Sequence, residues 1–108
     1  MMVLDGSGLL KSCDVKGHAG AGKRGYDIVC AAVSVLVRTA QATLAGREGI
    51  SAAFKAEKRG SFYLEVAAQN SEGEKFLAGV SAFLAEGLRS VAGEYPENCE
   101  LTIIKEQK

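Results

Sequence analysis

The sequence predicts one α+β domain over residues 1–108, with two helices packed on one sheet in the order ββ-α-ββ-α-β. A chain of 108 residues is long enough for one compact domain and too short for two. Its composition, 47% hydrophobic and 24% charged, is typical of a globular protein. Two long segments have the apolar spacing of helices, and shorter β-rich segments bounded by turn residues lie around them.

The first part of the chain predicts two strands and a loop. Residues 2–5 and 9–15 are expected to be strands, and the glycine-rich segment 6–8 is expected to form the turn between them. Glycine then recurs at short intervals, which leaves few side chains that can pack. This recurrence predicts a flexible loop over residues 17–26.

Asp27 is expected to cap the first helix, because its carboxylate can accept hydrogen bonds from the N–H groups of the first turn. Gly46 is expected to end this helix. Residues 28–37 are apolar except for one serine. We therefore expect this helix to be buried on most sides.

The second part of the chain predicts a hairpin, a second helix and a last strand. Residues 50–56 and 61–68 are the expected strands of the hairpin, and residues 99–104 are the expected last strand. The second helix is expected over residues 72–93, and Pro96 disfavours its continuation. One apolar stripe is expected along it, consisting of Phe76, Leu77, Val80, Phe83, Leu84, Leu88 and Val91.

The charge balance and the apolar runs argue against several classes of protein. Thirteen basic and thirteen acidic residues cancel, so we expect no direct binding to nucleic acid or to an anionic membrane. The longest apolar run, residues 28–37, is about half the length of a membrane-spanning helix. Residues 1–5 lack the pattern of a signal peptide. We therefore expect a cytoplasmic protein.

Cysteine usage is consistent with that expectation. Cys13, Cys30 and Cys99 are expected to be free thiols, because the cytosol keeps thiols reduced. They lack the close spacing of a zinc site, and we expect neither a metal nor a cofactor. The sequence does not assign roles to Cys13 and Cys99.

His18 and Cys30 form a candidate catalytic pair. Cys30 lies near the predicted start of the first helix, where unpaired N–H groups and the helix dipole favour a thiolate. His18 is the only histidine, and it lies at the beginning of the glycine loop. An imidazole beside a thiolate can stabilise the anion and then protonate a leaving amine. Backbone N–H groups near Cys30 are candidates for an oxyanion hole.

Two other interpretations remain open at this point. A cysteine on an apolar helix is often a core residue, so the chain could be a non-enzymatic module. Residues 17–24 also nearly match a phosphate-binding loop, which would make the chain a nucleotide-binding domain. Arg24, however, stands where that loop carries Ser or Thr.

The residues around this pair resemble a known family. Gly17-His18-Ala19-Gly20, followed by Gly25-Tyr26-Asp27-Ile28-Val29-Cys30-Ala31-Ala32-Val33-Ser34, is similar to the hallmark of the ribosomal-processing cysteine protease family, Prp. The similarity extends more weakly over the whole chain. Residues 21–24 depart from the common pattern of the family. This departure affects the expected dynamics of the loop and its fit to the substrate, but not the pair His18 and Cys30.

This resemblance implies a bacterial homodimeric endopeptidase. The non-enzymatic alternative is then a ribosome-associated or dimerisation module. Members remove a short N-terminal extension from the large-subunit ribosomal protein that reaches the peptidyl-transferase centre, so the implied substrate is that precursor. Cys30 would be the nucleophile and His18 its acid and base. Gly17 would allow close approach beside the histidine. Asp27 would cap the helix or orient the imidazole, and Ser34, one turn after Cys30, would support the site.

Overall fold

The computed structural model describes residues 1–16, 26–58 and 60–107, and it confirms the predicted α+β class and element order. The glycine-rich loop predicted over 17–26 lies almost entirely outside the described residues. The described elements are β1 (Met2–Leu4), β2 (Leu10–Val15), α1 (Tyr26–Leu44), β3 (Ile50–Lys58), β4 (Ser61–Ala68), α2 (Ser71–Glu94) and β5 (Ile103–Lys105).

The strands form one sheet in the order β3-β4-β2-β1-β5. Neighbouring strands are antiparallel except for β1 and β5, which are parallel. Side chains of β4 alternate between the two faces, with Phe62, Leu64 and Val66 buried and Tyr63 and Glu65 exposed. Because the two helices pack on the face that holds the buried side chains, the core lies between one sheet face and both helices.

One side of α1 is buried, and this corrects the expectation that most of its sides would be. The buried residues recur every three or four positions, at Val29, Val33, Val37, Ala40 and Leu44. In contrast, Ile28 is 58% exposed and Val35 is 65% exposed. A helix lying on a sheet contacts it along one stripe, and α2 covers only one further edge of α1.

The stripe predicted for α2 is correct at its centre and wrong at one residue. Leu77, Leu84 and Leu88 are buried, whereas Phe83 is 71% exposed and points away from the core. Among the buried residues is a serine: the Ser81 hydroxyl donates to the Leu77 carbonyl at 2.6 Å and accepts from the Leu10 N–H at 2.8 Å. This pair of hydrogen bonds joins α2 to the start of β2.

The last strand begins later than predicted, at Ile103 instead of residue 99. Tyr95 caps the C-terminus of α2, and its carbonyl accepts hydrogen bonds from the N–H groups of both Asn98 and Cys99 at 3.0 Å. These bonds bend the chain into a turn. The residues that follow, 98–101, form a segment without strand structure that borders the candidate site.

Candidate active site

A cavity of about 450 Å³ opens between the start of α1, the end of β2 and the segment 98–101. Its lining combines an apolar floor with a polar rim. The floor includes Cys13, Val29, Val33, Leu88 and Leu101, and the rim includes Asp14, Lys16, Ser34, Asn98 and Glu100. Cys30 also lines the cavity and is half-buried. The cavity can therefore take an apolar side chain while leaving polar groups for a peptide backbone.

Cys30 lies about two residues further into α1 than the sequence predicts. The helix begins at Tyr26, so Cys30 is the fifth residue of α1. The N–H groups without a partner inside a helix belong to its first four residues. Side chains on a helix lean toward its N-terminus, which directs the Cys30 thiol back toward that first turn. The candidate oxyanion donors are therefore the N–H groups that precede Cys30.

The structure brings together only some of the residues predicted for the site. Cys30 and Ser34 line the same cavity, as expected for residues one helical turn apart. Asp27 is exposed and is the second residue of α1, so it lies inside the helix instead of capping it. Its carboxylate still interacts favourably with the helix dipole. His18 and Gly17 lie outside the described residues.

Three parts of the site were not predicted from the sequence. Lys16 and Asp14 come from the end of β2, Gly60 comes from the β3–β4 turn, and the segment 98–101 forms another wall. The sequence signal for Lys16 is its position two residues before His18. No comparable local signal exists for residues 98–101, because they reach the cavity through tertiary packing.

The other two cysteines of the cavity have environments that keep them protonated. Burial raises the pKa of the Cys13 thiol to about 11, since a thiolate there would lose its hydration. Burial also raises the pKa of Cys99, and the nearby positive N-terminus opposes that shift. Neither thiol is suited to act as a nucleophile at neutral pH.

The raised pKa of Cys13 predicts a loss of stability in alkaline solution. Above about pH 9 the unfolded chain loses this proton while the folded chain keeps it, so the free energy of unfolding falls as pH rises toward about 11. At about 1.4 kcal/mol per pKa unit, the loss amounts to about 2–3 kcal/mol. Urea unfolding at about pH 8 and about pH 10.5 measures it.

Cys13→Ala is the control for this measurement, because other groups also titrate in alkaline solution. The variant is less stable at neutral pH, since it leaves a small cavity. Its stability is expected to fall less steeply with pH than that of the wild type. Parallel pH profiles for the two proteins would contradict the prediction.

Metal binding has no evident site in the described ranges. Among residues 1–16, 26–58 and 60–107, no group of three His, Cys, Asp or Glu side chains is placed to hold a metal ion.

A family model decides the identity of the chain. The model of the family described as cysteine protease Prp matches residues 1–100. The chain belongs to the Prp family. Membership supports a cysteine protease of the ribosomal-processing type. None of the curated proteins matches this chain.

Solved structures show the same fold as this Prp-family chain. SMU.848 from Streptococcus mutans aligns with a TM-score of 0.76 at 24% identity, covering 97% of this chain and 91% of the other. The ribosomal processing protease Prp from S. aureus, in complex with a substrate peptide, aligns with a TM-score of 0.69 at 20% identity, covering 100% of both chains. The same S. aureus protease with a covalently linked product peptide gives 0.65 at 22% identity, again covering 100% of both chains.

Proposed function

We propose that this chain is an endopeptidase that removes a short N-terminal extension from a bacterial large-subunit ribosomal protein, with Cys30 as the nucleophile and His18 as its acid and base. Ribosome assembly would need this cut, because the mature N-terminus of that protein reaches toward the peptidyl-transferase centre. The observation that carries the proposal is the half-buried Cys30 thiol on the wall of a peptide-sized cavity in a Prp-family chain.

The proposed reaction has two steps. The Cys30 sulfur attacks the carbonyl carbon of the scissile bond, the C–N bond breaks, and the imidazolium of His18 gives its proton to the leaving amine. Water, activated by the now neutral imidazole, then attacks the thioester and releases the new carboxylate and the thiol. The N–H groups at the start of α1 are suited to stabilise the oxyanion in both steps.

Connectivity is consistent with this role for His18. Lys16 lines the cavity, and His18 follows it by two residues. Two residues span at most about 7 Å, so the chain connectivity keeps His18 within that distance of Lys16. Ser34 is expected to support the site as a polar neighbour, and Gly17 to allow close approach of the chain beside the histidine.

The cavity favours an extended peptide whose apolar side chain enters between α1 and the segment 98–101. Val29, Val33 and Leu88 would contact this side chain. Asp14 and Asn98 bring polar groups to the same cavity, and a bound peptide backbone needs polar partners. We further propose that the chain acts in the cytoplasm as a homodimer, as its family resemblance implies.

The direct test is to incubate the purified chain with a ribosomal protein precursor that carries its N-terminal extension and to follow the mass of the precursor. A single cut that removes the extension is expected, and the mass of the product identifies the cleaved bond. The mature form of the same protein is the control and is expected to stay intact. An unchanged precursor in the presence of folded enzyme would contradict the proposed substrate.

A further inference from the structure

All three cysteines of the chain line the candidate active site, although the proposed reaction uses only Cys30. Cys30 comes from α1, Cys13 from β2 and Cys99 from the segment 98–101, and they border the same cavity of about 450 Å³. Cys30 and Cys99 are half-buried, whereas Cys13 is 1% exposed. Two partly accessible thiols therefore lie on different walls of one cavity.

We propose that a hydroperoxide oxidises Cys30 and that Cys99 then forms a disulfide with it, which closes the active site reversibly. This modification regulates the proposed protease site, so it rests on the proposed function and on Cys30 as the reactive thiol. The cytoplasm keeps most thiols reduced, and the disulfides that do form there are usually transient and often sense oxidants.

The chemistry needs only the peroxide and the two thiols. The Cys30 thiolate attacks one oxygen of the peroxide, the O–O bond breaks, and the other oxygen leaves with a proton as water or an alcohol. This step converts Cys30 to a sulfenic acid. The Cys99 sulfur then attacks the Cys30 sulfur, the S–O bond breaks, and hydroxide leaves with the Cys99 proton as water. In total, two electrons pass from the thiols to the peroxide.

The backbone favours Cys99 over Cys13 as the second thiol. Cys13 belongs to β2, the middle strand of the sheet, where it is paired with Met2 of β1 and Leu64 of β4. A movement of Cys13 toward Cys30 would disrupt the hydrogen bonds on both sides of β2. Cys13 is therefore held in place on the floor of the cavity.

Cys99 lies in a part of the chain that is attached at its two ends only. Its N–H donates to the Tyr95 carbonyl at 3.0 Å, and the chain next becomes fixed at β5. Between these points, the backbone groups of Glu100 and Leu101 make no hydrogen bond to any residue that the structure describes. A disulfide requires Cα atoms about 4.4–6.8 Å apart, and a shift of this segment can bring Cys99 toward Cys30 without breaking the sheet.

The raised pKa of Cys99 is compatible with this role. Few Cys99 thiols are ionised at neutral pH, so Cys99 is a poor nucleophile toward a peptide carbonyl. Thiols condense readily with a sulfenic acid, however, and the thiolate of a cysteine with a high pKa is intrinsically more nucleophilic. The two sulfurs also share one cavity, which gives the reaction the advantage of an intramolecular step. Cys99 can therefore trap oxidised Cys30 without replacing it in peptide cleavage.

The disulfide blocks cleavage in two ways. It removes the nucleophilic sulfur of Cys30, and it draws the segment 98–101 into the space that the peptide would occupy. It also protects Cys30 from further oxidation to a sulfinic acid, which thiols do not reduce. The modified chain can therefore regain activity when reducing thiols return.

Peroxide treatment of the full chain, followed by mass spectrometry, tests the proposal. Trypsin cleaves after Lys and Arg and places the three cysteines in separate peptides, 12–16, 25–38 and 90–105. After an equimolar amount of hydrogen peroxide, the intact chain is expected to lose about 2 Da, and peptides 25–38 and 90–105 are expected to be linked. Cleavage of the precursor is expected to stop, and dithiothreitol is expected to restore most of it.

Two variants separate the roles of the other cysteines, with each rate compared with that of the same protein before treatment. In Cys99→Ala the disulfide cannot form, so excess peroxide oxidises Cys30 further, and dithiothreitol is expected to recover no more than about a tenth of the rate. Cys13→Ala is the matched control and is expected to recover as the wild type does. Circular dichroism verifies that both variants are folded.

The other outcomes overturn the pairing. These are a wild-type chain that peroxide leaves unmodified, a Cys30 sulfinic acid without a disulfide, a link to peptide 12–16, and a link between two chains. Equal recovery of the wild type and Cys99→Ala has the same meaning. A linked pair in a chain that does not cut the precursor would instead retain the thiol chemistry and contradict the proposed protease, so the two failures are distinguishable.

Discussion

Replacement of Cys30 by alanine is expected to lower the rate of precursor cleavage by a factor on the order of 10³ or more. Alanine has no nucleophilic atom, so neither the attack on the carbonyl carbon nor the thioester can form. Cys30 is half-buried and lies on the cavity wall, so loss of one sulfur atom should disturb α1 little. Mass spectrometry of the precursor over time, under single-turnover conditions, measures the rate of cleavage.

Cys99→Ala is the comparison variant, because it removes a second half-buried thiol from the same cavity. The thiol of Cys99 has a raised pKa and takes part in no step of the proposed reaction. We therefore expect Cys99→Ala to lower the cleavage rate less than about tenfold, through altered contacts with the peptide. If Cys30→Ala cleaves as fast as the wild type, Cys30 is not the nucleophile. If Cys99→Ala is the inactive one, the catalytic cysteine lies on the opposite wall.

Local patterns in the sequence were sufficient to predict the elements of this fold. Apolar residues every three or four positions located both helices to within one or two residues of their observed ends. Two β-rich segments on either side of Gly60 predicted the hairpin β3–β4. Gly60 has a φ of 78°, a backbone conformation that other residues seldom adopt. These signals are strong because they arise from contacts between residues close in sequence.

The expectations that were wrong concern what each helix packs against. An apolar helix face predicts burial without identifying the partner that buries it, so Val35 and Phe83 were assigned to a core that does not include them. Hydrophobic spacing therefore locates the apolar side of a helix, but it does not determine how much of that side the fold buries.

The candidate site shows the same division between local and distant information. The spacing of Cys30 and Ser34 is a local property of one helix, and both residues line the cavity. Cys99 is 69 positions from Cys30 in the sequence, and no periodicity connects the two. Tertiary packing places the segment 98–101 beside α1, and the turn at Tyr95 that directs it there depends on backbone hydrogen bonds.

His18→Ala is expected to lower kcat for precursor cleavage by about 10² to 10⁴, the usual contribution of a positioned acid and base. The thiol of Cys30 remains, but the leaving amine no longer receives a proton from the imidazole. KM should change much less, since proton transfer to the leaving amine stabilises the transition state and not the bound substrate. Steady-state kinetics with the precursor separates the two constants.

Two further measurements distinguish a catalytic His18 from a histidine that only shapes its loop. Free imidazole, added to His18→Ala, is expected to restore part of the lost rate, because it can enter the space left by the side chain and transfer the proton. Asp27→Asn should cost less than about tenfold, since Asp27 is exposed on α1 and would act only by orienting the imidazole. A His18→Ala enzyme with unchanged kcat would remove the acid from the mechanism. Cys30 would then act with another partner, and Lys16, which lines the same cavity, is one candidate.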